Sequence, residues 1–255
     1  MGEGPALPDP FRLIDLIETD STNEEAKRWL RHAPSGDDDR ITVIWARSQR
    51  AGKGRRGRTW VSEPGNLFCS LVVKPGCPAA VAVQLGFVTA NAVAATLASK
   101  LPPGRAVTCK WPNDVLIEGR KAAGLLLEAE AGLDRLIIGI GVNLAHYPEK
   151  TEFPATCLAQ EGGGDVPAGD FLASLCGDFL AGFLAWRNSG FTPVRRAWIE
   201  RAHGLGAPVA VRLERETLHG TFKTLDGDGA LILEQGGRER LITAGDVFPV
   251  APSQG

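Results

Sequence analysis

Between two β-rich runs, Ile41 to Ala46 and Leu67 to Val73, the chain places Ser-Gln-Arg-Ala-Gly-Lys-Gly-Arg-Arg-Gly-Arg-Thr-Trp from Ser48 to Trp60, which reads as a loop joining two strands. With Arg47 the stretch carries six cations and three glycines. Glycine admits φ > 0 and lets backbone N–H groups turn toward a ligand, while guanidinium groups present forked donors that match carboxylate and phosphate oxygens. The segment is therefore an anion cradle. At a net charge of −2 the chain as a whole is slightly acidic, so the positive field is concentrated at this loop. A general polyanion binder would spread it over a whole face.

The remaining pattern is a strand at Phe11 to Glu18, a helix opened by Ser21-Thr22-Asn23-Glu24 as an S-x-x-E capping box, and one long apolar helix from Pro78 to Ser99. Strands follow at Ala106 to Lys110, Val115 to Ile117, Ala122 to Glu128 and Leu136 to Val142, with turns at Pro112-Asn113-Asp114 and Glu118-Gly119-Arg120. Two helices fit Asp170 to Trp186 and Thr192 to Ala202, and Arg195, Arg196 and Arg201 on the second read as a solvated face. A boundary near Gly204 to Ala207 precedes about five short strands, the pattern of a small barrel. The fold class is α+β, a mixed β-sheet backed by helices over residues 1–205 and a small barrel over 206–255.

Composition narrows the setting. Five cysteines, an odd number without a C-x-x-C pair, argue against a disulfide framework or a structural zinc site, and four scattered histidines lack metal-ligand spacing. No apolar run approaches about 20 residues and the N-terminus lacks a signal-peptide pattern, so a cytoplasmic protein without membrane contact is expected.

A second charged segment, Lys110-Trp111-Pro112-Asn113-Asp114, is followed by Arg120-Lys121 and Gly124. Alone, Asp114 is an ordinary turn residue. Together with the flanking tryptophan and lysine it reads as the wall of a site. Ser21-Thr22-Asn23 serves as a helix cap or as donors and acceptors for a small polar ring, and Gly141-Val142-Asn143 ends a glycine-containing strand.

In this order, Ser21-Thr22-Asn23, the loop from Gln49 through Trp60, Lys110 to Asp114 with Arg120-Lys121 and Gly124, and Gly141 to Asn143 make the chain resemble the biotin protein ligases. That resemblance implies a catalytic domain of the class II synthetase and biotin–lipoate ligase type, with an SH3-like tail. It implies that biotin's carboxylate attacks the α-phosphate of ATP to give biotinyl-5′-adenylate, whose biotinyl group passes to a lysine of a biotin carboxyl carrier protein. Ser21, Thr22, Asn23 and Gln49 would line the biotin ring. Lys53, Gly54 and Arg55 would close over the ligand, Gly52 would join them in the binding site, Arg58 would supply charge and Trp60 would lie near the adenine. Asn113, Gly124 and Asn143 would complete the binding site, and Lys121 would reach the carboxylate or phosphate. Asp114, with Lys121 and Arg55 as catalytic partners, would orient or deprotonate the carrier lysine; Mg²⁺ would arrive with ATP and lie near Asp114 rather than in a fixed protein site.

One departure is Lys53, where the family's loop usually has arginine: charge is kept and the planar fork is lost. The short lead before the first strand leaves no room for a helix-turn-helix domain, so no DNA binding is expected, and the chain is expected as a monomer or weak homodimer. The rivals are a lipoate ligase or octanoyl transferase, which shares the fold, and a nucleic-acid-binding module that tracks phosphates with Arg47 to Arg58.

Overall fold

The computed structural model describes residues 4–32, 40–129 and 134–250. Its first layer is a seven-stranded sheet built from β1 (Phe11–Thr19), β2 (Ile41–Gln49), β3 (Leu67–Val73), β4 (Val107–Lys110), β5 (Asp114–Ile117), β6 (Arg120–Ala129) and β7 (Leu136–Val142) in the order β1-β2-β3-β7-β6-β5-β4. β1 and β2 run parallel and the other neighbours antiparallel, so the sheet is mixed.

Alternation along each strand divides the two faces. Val43, Trp45, Leu71, Ile138 and Ile140 point into the main core, which α3 (Leu85–Lys100), α4 (Ala168–Ser189) and α5 (Phe191–Ile199) cover. On the opposite face Ile44, Val72 and Ile137 pack under Ala26 of α1 (Thr22–His32). Further along β7 that second face carries Gly139 and Gly141, which have no side chain to fill it, and β6 places Gly124 directly opposite Gly141. This glycine trough lies beside the N-terminal end of α1.

The expected helix from Pro78 to Ser99 is two helices, α2 (Ala79–Ala82) and α3. Between them Gln84, Gly86 and Phe87 donate to carbonyls three residues back, and Gly86 is a weak helix former. Contrary to the expectation that no apolar run nears membrane-spanning length, the joined stretch Ala79–Lys100 and Ala168–Ser189 are both long and apolar enough to cross a membrane, and the first is largely buried within the protein. The late helix ends at Ile199 instead of Ala202, because the Arg201 carbonyl and the His203 N–H bond the backbone of Cys109 and extend the edge of β4.

The second sheet is antiparallel, with β8 (Pro208–Arg212), β9 (Thr217–Leu225), β10 (Leu231–Gln235), β11 (Arg238–Ile242) and β12 (Asp246–Pro249) in the order β11-β10-β9-β8-β12. No pairing of β11 with β12 closes it among the described residues, so the expected barrel is an SH3-like sheet. It is docked firmly. Trp111 donates to the Gly229 carbonyl at 3.1 Å, Phe87 stacks edge-on with Phe191 and Trp198, and a Cβ at Gly229 would lie 2.6 Å from the Phe87 ring. Arg195, expected in solvent, instead donates Nε to the Leu225 carbonyl at 3.1 Å, because β9 ends against α5.

Candidate active site

Above the glycine trough is a cavity of about 370 Å³, walled by α1, by the loop after β2, by β5 and β6, by residues 148–155 and by Asp246 and Phe248 of the second sheet. It gathers Ser21, Thr22, Asn23, Gln49, Lys53, Gly54, Arg55, Arg58, Trp60, Asn113, Asp114, Lys121, Gly124 and Asn143. Gly52 does not line it. A Cβ there would meet the Trp60 carbonyl at 2.5 Å and Ser62 Oγ at 2.6 Å, so Gly52 forms the neck of the loop, where two chain segments must nearly touch.

At one end of the cavity the start of α1 is held by side chains from other strands. The Thr22 N–H donates to Gln49 Oε1 at 2.8 Å, Ser70 Oγ lies 2.8 Å from Thr22 Oγ1 and donates to Asn23 Oδ1 at 2.6 Å, and Asn23 Nδ2 donates to Glu128 Oε2 at 2.7 Å. Gln49 and not a capping box therefore serves the helix N-terminus; Glu24 instead receives Lys27 at 3.1 Å and Lys53 at 2.7 Å. Gly139 is required here, since a Cβ would stand 2.4 Å from Asn23 Oδ1.

The Gly/Arg loop folds into a hairpin of its own. Lys53 and Thr59 form a bridge, the Gly54 N–H donates to the Arg58 carbonyl at 2.7 Å, and Arg55–Gly57 make a 3₁₀ turn with Arg56 at φ 55. Leaving the hairpin, Trp60 lays its indole on the trough: a Cβ would meet the ring at 2.8 Å from Gly124 and at 2.5 Å from Gly141. Its Nε1 is buried and has no acceptor among the described residues. At the tip, three guanidinium groups converge on Asp246 of β12, Arg55 at 3.6 Å, Arg56 at 3.4 Å and Arg58 at 3.2 Å.

The strongest electrostatic feature is Asp114, 8% exposed at the floor. Lys121 Nζ stands 2.6 Å from Oδ1, close but off the direction of a hydrogen bond, and Lys110 Nζ donates to Oδ2 at 3.3 Å. Burial alone would raise the carboxyl's pKa, yet the two ammonium groups outweigh it and hold Asp114 below the usual carboxylate range. Burial pulls Lys110 down from the usual lysine value, offset in part by Asp114; its ammonium lies 4.6 Å from the Phe153 ring centre and 5.6 Å from that of Phe248. Burial likewise lowers Arg55, which also donates to Asn113 Oδ1 at 3.3 Å.

A bulge aims Lys121. The β5/β6 register slips after Val115, so Asp114 faces Gly124 while Leu116 faces Lys121, and both Ala122 and Ala123 enter the core. In unbroken alternation Lys121 would share a face with Ala123. The extra residue brings it to the cavity side with Gly124.

Sequence reasoning missed several partners. Lys110, though quoted with its segment, was not singled out; Phe153, Phe248 and Asp246, which line the cavity, and Ser70 and Glu128, which hold Thr22 and Asn23 in place, carry no local signal, since only the folded chain brings them there. Among the described residues no group of three or more His, Cys, Asp or Glu could hold a metal, and both Asp114 oxygens face lysine ammonium groups. The residues therefore do not fit a direct Mg²⁺ ligand at Asp114.

Residues 17–143 match the Biotin/lipoate A/B protein ligase family and residues 204–248 the Biotin protein ligase C terminal domain. The chain is 40% identical over 243 residues to the biotin–[acetyl-CoA-carboxylase] ligase of Paracoccus denitrificans, covering 91% of this chain and 98% of that one. It is 31% identical to the ligase of the same name from Mycobacterium tuberculosis, covering 93% and 89% of the two chains. The structure of Aquifex aeolicus biotin protein ligase in complex with biotin and ATP superposes with a TM-score of 0.79 at 27% identity, covering 93% of this chain and 97% of that one.

Proposed function

This chain belongs to the biotin protein ligase family, and on that premise we propose that it activates biotin with ATP to biotinyl-5′-adenylate and transfers the biotinyl group to a lysine of a biotin carboxyl carrier protein. The observation that carries the assignment of roles is Asp114, kept ionised between Lys110 and Lys121 on the floor of a cavity whose roof is the Gly/Arg hairpin.

The first step brings two anions together, the carboxylate of biotin and the α-phosphate of ATP. Lys121, Arg55 and Arg58 converge from two walls of the cavity to offset their repulsion, and in a site shielded from water one such contact supplies about 3–4 kcal/mol of transition-state stabilisation. The carboxylate oxygen bonds to phosphorus and pyrophosphate leaves. Ser21, Thr22, Asn23 and Gln49 form the polar end that holds the ring of biotin, and the indole of Trp60 is an apolar surface for the adenine. Mg²⁺ travels with the ATP phosphates, as is usual for nucleotide sites, and no protein ligand is assigned to it.

In the second step the carrier amine, entering as the free base, bonds to the acyl carbon, AMP leaves with the electron pair of the broken C–O bond, and the proton shed by the new amide nitrogen passes through the departing phosphate to solvent. A carboxylate held below its usual pKa is a weak proton acceptor. Asp114 therefore holds the incoming amine by hydrogen bonding rather than deprotonating it. The hairpin over the mixed anhydride keeps water from hydrolysing it.

Arg55→Gly tests the roof: released biotinyl-adenylate, followed by its dissociation rate, rises several-fold over the parent. Unchanged retention would remove Arg55 from the closure.

A further inference from the structure

Outside the cavity wall, one buried acid has no part in the chemistry described so far. Glu161 is 1% exposed and sits in the turn Ala159–Gly163, which Gly162 closes at φ 95, in the glycine-rich stretch before α4. Its Oε1 accepts a short hydrogen bond from Thr156 Oγ1 and lies 2.6 Å from Arg120, and its Oε2 lies 3.6 Å from Arg105. Burying a carboxylate is costly unless its partners hold it.

What Glu161 fastens is the segment that holds Lys121. The bulge turns the Lys121 peptide groups away from β5, and residues 154–156 receive them: the Lys121 N–H donates to the Pro154 carbonyl at 2.7 Å and the Thr156 N–H to the Lys121 carbonyl at 2.9 Å. The same segment carries Asn143, whose Nδ2 donates to the Thr156 carbonyl at 3.0 Å and whose carbonyl accepts the Leu158 N–H at 2.9 Å. Arg120, the neighbour of Lys121, is the other anchor of Glu161. One carboxylate thus ties both sides of the Lys121 bulge together.

We infer that Glu161 is a positioning residue: through Thr156 and Arg120 it locks the splint at residues 154–156 and so fixes the reach of Lys121 Nζ toward Asp114 and the reacting anions. The inference rests on the proposed role of Lys121. Carboxylate charge is what the lock needs, because a neutral amide in its place keeps the shape and loses the two arginines.

The test combines hydrogen exchange with kinetics in the full chain. In Glu161→Ala and in the gentler Glu161→Gln, amide exchange at Lys121 and Thr156 should quicken at least tenfold while the amides of β9 and β10 stay as in the parent. The kcat of biotin-dependent pyrophosphate release should fall by about tenfold or more with a small change in KM for biotin, and that loss should disappear in a Lys121→Ala background. Unchanged exchange at Lys121 and Thr156 would overturn the inference whatever the activity; so would an equal kcat loss with and without Lys121, which marks general destabilisation. If Lys121→Ala alone leaves adenylation intact, the role of Lys121 fails and the catalytic meaning of the lock falls with it. A parent that releases no pyrophosphate refutes the proposed function, while the exchange result still judges the lock.

Discussion

Asp114 stands between Lys110 and Lys121 with almost no access to water, so its charge is indispensable to two neighbours as well as to substrate. Asp114→Asn keeps the shape and removes the charge; carrier biotinylation should drop by about 100-fold or more, with folded protein recovered, and turnover within a few-fold of the parent would refute its role. Stability should follow the same carboxylate. Its folded pKa is depressed, so its contribution is complete above the unfolded carboxylate value of about 3.9 and is lost as pH falls through the lower folded value. Thermal melts on acidification should show the parent losing stability below about pH 4, more steeply than Asp114→Asn. At this scale the sequence showed the charged positions and hid their partners. Asp114 and Lys121 were legible because they stand in compact motifs, whereas Ser70, Glu128 and Asp246 are ordinary residues until three-dimensional pairing aims them. Lys53 is informative in the other direction. The ammonium that replaces the family's usual guanidinium reaches Glu24 at the start of α1, a contact that a point charge satisfies without a fork.

The elements turn these residues into a site by leaving material out. Gly124, Gly139 and Gly141 deny the sheet the side chains that would fill its second face, and Asn23 and Trp60 occupy the space they leave. Gly141→Ala should therefore expel the Trp60 ring, shift its fluorescence toward the solvent-exposed range and cut adenylation by about tenfold or more, with the main core intact. Unaltered emission together with full activity would show that the indole does not rest there. Strand positions were largely readable from alternation and β-rich runs, and Leu67–Val73 and Leu136–Val142 carry the expected bounds. Three features were not readable: the split before α3, the early end of α5 and the β5/β6 bulge. The first is a local tightening of the backbone around Gly86, while the other two are decided by tertiary partners, the last by residues 154–156, which lie more than thirty positions downstream of Lys121.

Across the whole molecule, the SH3-like sheet reaches into the chemistry of the first. Its Asp246 collects three arginines of the hairpin, and Phe248 closes the aromatic slot around Lys110. Asp246→Asn should leave the melting temperature within a few degrees of the parent, since the residue belongs to neither core, and lower kcat/KM for ATP by about tenfold, roughly 1.4 kcal/mol. Parental kinetics would mean that the hairpin organises itself. The order of the sequence blocks made the family and its two-part architecture legible, but no local pattern revealed that the second part supplies a wall of the cavity. The central claim is an ordered two-step transfer of biotin, and it is tested most directly by mixing the purified protein with MgATP, a biotin carboxyl carrier domain and either biotin or lipoate, following pyrophosphate and the carrier's intact mass. Pyrophosphate release with biotin and one biotinyl increment on the carrier is the predicted result; an increment with lipoate alone, or none with either acid, would contradict it.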